Sequence, residues 1–224
     1  MFIQKEYKPF LGVQVIIKDL LVISAYTMNM SFILAIAFYP EKYSFFAENI
    51  SKLGGIRSVS GTINTTSMII ILVGFGICGI ITLAVGILYL KYRKLHLWKV
   101  KAIVSFIISL GAFLMMIPHD FMNLLVVHGI GAVLYIGGFT SLNVLLQVSS
   151  TIKKQKEFQK SISRFDTIWD IILSIILSLI LIGYFVIFPI ARCGLGPVIL
   201  EQTYQKLVVF TALLAIYFID DEDI

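Results

Sequence analysis

Charge is scarce in this chain. Only 14% of its 224 residues are Asp, Glu, Lys or Arg, against 58% hydrophobic ones. A soluble domain of this length needs a polar skin that so few ionised side chains cannot supply. Cysteine is scarcer still, limited to Cys78 and Cys193. Cys78 falls near the middle of an apolar run and Cys193 in a terminal loop, so depth alone argues against a disulfide between them. The dinucleotide-binding, P-loop and haem-attachment motifs are all missing, and no cofactor is expected. There is neither an internal repeat nor a low-complexity segment, which leaves one domain over residues 1–224. The net charge of +5 does not mark a nucleic-acid partner. Its basic residues are gathered in two short loops and near the N-terminus, where membrane topology accounts for them.

What the chain has in abundance is apolar length, with a mean hydropathy of +0.94. Residues 20–39, 68–90, 102–117, 124–148, 171–190 and 207–219 are almost free of charge. About 20 helical residues cross a hydrocarbon core of roughly 30 Å. Extended by their flanks, these runs predict an all-α, polytopic bundle of six transmembrane helices, at roughly 13–39, 63–90, 98–117, 121–148, 168–190 and 200–219. The apolar stretch leading to Ala35-Ile36-Ala37 is too long for the core of a cleaved signal, so the first run is read as a retained helix. The last is the shortest, and full span requires Lys206 to snorkel or to face protein.

Orientation follows from the gaps. Lys91, Arg93, Lys94, Lys99 and Lys101 lie in one, Lys153, Lys154, Lys156, Lys160 and Arg164 in another, and Lys5 and Lys8 precede the first run. Short loops rich in Lys and Arg stay cytoplasmic, which places both termini inside and the protein in the cell membrane as a multi-pass chain. The acidic stretch Asp220-Asp221-Glu222-Asp223 would lie on the same side. Residues 151–166 read either as a short amphipathic surface helix or as a solvated connector.

Three features converge on the opposite face. The first long loop carries Glu48, Ile50, Ser51, Leu53, Gly54 and Gly55. The tight turn Pro118-His119-Asp120 ends the third helix, and His128 follows roughly two turns into the fourth. His128 shares a helical face with Gly131, Ala132, Tyr135 and Gly138, which a neighbouring helix can approach closely. An ionisable side chain at that depth needs an interior partner. Ser51, His119, Asp120 and His128 are therefore the candidate polar pocket, with Ile50, Leu53, Gly54, Gly55 and Pro118 as its framing motif.

The Ile-Ser-x-Leu-Gly segment (Ile50, Ser51, Leu53, Gly54), the Pro-x-Asp turn (Pro118, Asp120) and His128 before Gly131-Ala132 resemble the prokaryotic six-helix family known as domain of unknown function 998. A more distant likeness is to eukaryotic DRAM/Frag/Sfk-type membrane proteins. Where that family often has a proline and an aromatic-Asn pair, this chain reads Gly61-Thr62-Ile63-Asn64. The resemblance implies a six-helix fold; the eukaryotic relatives add an analogy to lipid handling or membrane organisation.

Several chemistries suit these residues. Ser51 as nucleophile, with His119 or His128 as base and Asp120 orienting it, has the right side chains but no strained serine elbow. His119, Asp120 and His128 are chemically suited to a metal, though nine residues between the histidines match no helical ligand spacing. A structural lock uses the same groups to hold the Ser51 loop over the bundle. For function, the favoured reading is binding or processing of a membrane lipid from the outer leaflet. A small-solute or proton-coupled transporter and a non-catalytic membrane organiser are the alternatives. Asn29 and Asn143 are expected to bond across to neighbouring helices, and Gly76, Gly79 and Gly86 form a close-packing stripe that offers a face for homo- or hetero-oligomers.

Overall fold

The computed structural model describes residues 11–121, 124–158, 164–193 and 198–218. Lys5, Lys8, Lys160 and the acidic stretch 220–223 lie outside them. The fold is all-helical. Helix α1 spans Leu11–Ala37, and a loop containing a 3-10 turn at Ile50–Gly54 leads to α2, Thr65–Lys91. Helix α3 covers Trp98–Met115. The next rod is continuous but changes geometry, as α4 (Leu125–Ala132), a π-helical segment (Val133–Gly137) and α5 (Gly138–Phe158). Helices α6 (Arg164–Arg192) and α7 (Val198–Tyr217) complete the bundle. Four stretches, Gly12–Ala37, Thr65–Lys91, Trp98–Met115 and Leu125–Ser149, are long and apolar enough to cross a membrane. The protein is membrane-embedded.

The burial pattern runs opposite to that of a soluble bundle. On α2 the exposed side chains include Ile69, Val73, Ile77, Ile80 and Ile87, whereas the small or polar Ser67, Gly74, Cys78, Gly79 and Thr82 are buried alongside Ile71, Phe75, Val85 and Tyr89. Lipid is as apolar as isoleucine, so what drives the helices together is close packing of small residues and internal hydrogen bonding. A Cβ on Gly79 would lie 2.9 Å from the Phe113 ring, and one on Gly86 2.7 Å from Phe106, so the aromatic rings of α3 sit directly on the glycines of α2. Gly76 faces Met116 in the same way. The close-packing stripe read from the sequence thus seats α3 of its own chain.

The contact between α3 and the following rod is tighter still. A Cβ on Gly111 would meet the backbone of Leu134 and Tyr135, and one on Gly131 would meet the backbone of Leu114 and Met115. Here main chain approaches main chain, which only glycine permits.

The structure departs from the sequence reading in several places. Residues 151–158 do not form a separate surface helix; they continue α5, because Lys, Gln and Glu are good helix formers once the rod has left its apolar part. Lys101, counted with the basic gap, falls inside the third helix as predicted from residue 98. It lies within the N-terminal part of α3, fully buried, with its ammonium 5.7 Å from the Tyr89 ring centroid. The Asn29 and Asn143 amides donate to the carbonyls of Ala25 and Phe139, four residues back on their own helices, and not across to another helix. Cys78 is buried, its thiol donating to the Ser24 carbonyl, and Cys193 is exposed; both are free thiols.

Candidate functional site

The loop between α1 and α2 forms a cap over one end of the bundle, fastened at three points. At the first, Asn64 donates from its amide to the carbonyls of Leu53 and Gly55, both at 3.0 Å, and the Ser67 hydroxyl donates to Leu53 at 2.9 Å. Leu53 is fully buried, and Gly54 packs so close to Ile71 that a Cβ would lie 3.1 Å from it. At the second, the Asp120 carboxylate accepts the backbone N–H groups of Ile56 at 2.8 Å and Arg57 at 2.9 Å, one on each oxygen. Burial, the largest single influence, would raise this carboxyl, but the backbone donors of Ile56 and Arg57, with Asp120's own N–H and the nearby His119, together hold the group below its ordinary value. At the third, the Lys206 ammonium donates to the Glu48 carbonyl at 2.6 Å and to Gln202 at 3.1 Å, with the rings of Phe45 and Tyr43 at 5.3 and 6.0 Å. Lys206 is 2% exposed, so of the two options left open by the sequence it takes the protein-facing one.

Beneath the cap lie two imidazoles with ring centroids 5.9 Å apart. His128 is 6% exposed, and its Nδ1 is 2.8 Å from the Ile117 carbonyl. A carbonyl can only accept, so Nδ1 carries the hydrogen and Nε2 of the neutral ring is a bare acceptor. That Nε2 is buried and has no partner. His119 abuts Gly55, where a Cβ would lie within 2.5 Å of its Cε1. Its Nδ1 is likewise buried without a partner. Burial lowers the His119 pKa against the opposing pull of the Asp120 carboxylate, with the nearby Lys52 and His128 adding to the lowering, so the ring is neutral at pH 7.

The geometry therefore gathers His119, Asp120, His128, Gly55 and the backbone of Ser51 at one end of the bundle, with Ile50, Leu53, Gly54 and Pro118 as frame. It does not assemble the nucleophilic triad. Both Asp120 oxygens engage the loop backbone, and His128 Nδ1 engages Ile117, so no carboxylate orients either imidazole. The described residues include no group of three or more His, Cys, Asp or Glu side chains placed to hold a metal ion. Sequence reading missed Asn64, Ser67 and Lys206 as cap residues. Asn64 is 1% exposed with its amide committed to the loop. The signal was its place immediately before α2, where a polar side chain can reach back to the preceding turn.

Compared with protein-family models, with curated proteins and with solved structures, the chain finds no match. Its function has to be read from the site.

Proposed function

We propose that the chain crosses the cell membrane six times with both termini cytoplasmic, and that its capped end binds the polar head of a lipid or lipid-like molecule from the outer leaflet. The observation that carries this reading is the pair of buried imidazole nitrogens without partners. The His128 nitrogen is an acceptor in the neutral ring, so the pair favours a donor-bearing group such as a hydroxyl or an ammonium. The surrounding belt of exposed Ile, Val and Phe side chains supports access from lipid. The likeness to the six-helix family of unknown function belongs to the same proposal.

The transporter reading draws on the buried polar residues farther along the bundle, among them Ser105, Thr82 and Asn143. Each donates to a carbonyl of its own helix, three or four residues back, and they form no relay. A membrane organiser needs no site, which leaves the two imidazoles unexplained.

Two measurements test the proposal. Single cysteines at Val59, 63% exposed in the cap loop, and at His96, exposed between α2 and α3, should react with impermeant reagents from opposite faces of the membrane. Reaction from the same face would refute the topology. Native mass spectrometry of the purified protein should find a bound lipid that His119→Ala and His128→Ala each lose. Retention of the same lipid in both variants, or no lipid selectivity in the parent, would sink the lipid reading.

A further inference from the structure

Roughly 10 Å along the rod from His128, the helix widens into the π-helical segment Val133–Gly137. Such segments recur at functional sites because they displace a helix face and free carbonyls from the regular ladder. Here the carbonyls are accounted for. Thr140 donates from its hydroxyl to Ile136 at 2.6 Å and Ser141 to Gly137 at 2.7 Å. What remains beside the segment is a partly open cavity between α1, this rod and α7, whose empty space of about 350 Å³ includes the part open to the outside. Its wall is mostly apolar, with Met28, Ile136, Phe139, Val208 and Ala212, and it includes Asn29 of α1.

Asn29 is 95% buried, being 5% exposed. Its Nδ2 donates to the Ala25 carbonyl at 2.8 Å, which fixes the orientation of the amide, since a carbonyl cannot receive the Oδ1 face. Oδ1 is buried and has no partner, the one such side-chain atom among the residues lining this cavity. A lone water would be poorly held there, because ordered buried water needs two to four polar partners. An apolar body ending in a single O–H donor matches both the wall and the acceptor. The enclosed part is small, so the chain of such a molecule would run out through the open side.

We infer that this cavity is a binding site for an aliphatic alcohol, whose hydroxyl donates to Asn29 Oδ1 while its chain packs against Met28, Phe139 and Val208. The site is separate from the histidine pocket and does not depend on the reading given to that pocket.

The test uses the purified full-length protein in detergent and a photoreactive diazirine analogue of decan-1-ol. Labelling should be saturable and map to α1 and α7 near Met28 and Val208. Unlabelled decan-1-ol should compete about fivefold better than decane, the worth of one hydrogen bond in a membrane interior. Asn29→Leu should keep the labelling and abolish the preference. Ala212→Phe, which fills the cavity from α7, should abolish the labelling, and His128→Ala should change neither. Labelling that is unsaturable, maps elsewhere, or survives Ala212→Phe would overturn the inference. So would an alcohol preference in Asn29→Leu equal to that of the parent. If Asn29→Leu does not fold, the parent's alcohol-over-alkane ratio and the Ala212→Phe result decide the matter.

Discussion

Gly111→Ala is expected to destabilise the folded protein by about 3 kcal/mol, while Gly129→Ala on the adjoining rod is neutral or slightly stabilising. The difference lies in what the added methyl meets. At Gly111 it runs into the main chain of Leu134 and Tyr135, which cannot rotate away as a side-chain tip can. At Gly129 nothing lies within 4 Å, and only the gain in helix propensity remains. Unfolding in mixed detergent, followed by the fluorescence of Trp98 and Trp169, should give well-separated midpoints for the two variants. Coincident midpoints would mean that α3 and the π-helical rod do not touch main chain to main chain. Because Gly111 faces the start of the Tyr135 region, the same variant should also disturb the π segment and the cavity beside it.

The second large effect is expected at Lys206. Replacing it with Met removes an ammonium that donates to the Glu48 carbonyl and stands beside the rings of Phe45 and Tyr43. The expected cost is about 2 kcal/mol, tempered because the Tyr43 hydroxyl still donates to Glu48 at 3.1 Å. The loss should be local. Amide hydrogens of residues 41–50 should exchange faster in Lys206→Met, while those of α2 and α3 stay protected. Lys206→Arg, which keeps the charge and the donors, should recover part of the protection. Unchanged exchange in the loop would show that α7 does not fasten the cap.

How far the sequence carried the argument differs from one element to the next. The long runs around α1, α2 and α3 were legible because hydropathy alone constrains a chain in lipid, where every backbone group must bond within its own helix. The start of α3 at Trp98 coincides with the predicted one, since an interfacial Trp marks that boundary directly. The prominence of His119, Asp120 and His128 also came from the sequence, because ionisable groups are rare enough in an apolar chain to stand out one by one.

Their partners did not come from it. Asp120 reaches loop amides more than sixty residues away, and Lys206 binds a carbonyl 158 residues away. Backbone acceptors and donors have no signature in the residue alphabet, so no spacing rule could have announced them. The π-helical geometry at 133–137 was equally silent, since Val-Leu-Tyr-Ile-Gly is compatible with an ordinary helix; in the fold the widened turn packs against Gly111 of α3. The amide of Asn29 illustrates the same division. Composition and depth determined that a polar group would sit inside the bundle, whereas only packing decided that its nitrogen turns back to Ala25 and its oxygen is left against an apolar cavity. Membrane class follows from summed transfer free energies along the chain, which are local and additive. The site follows from which surfaces meet, which depends on glycines and rings brought together from different helices.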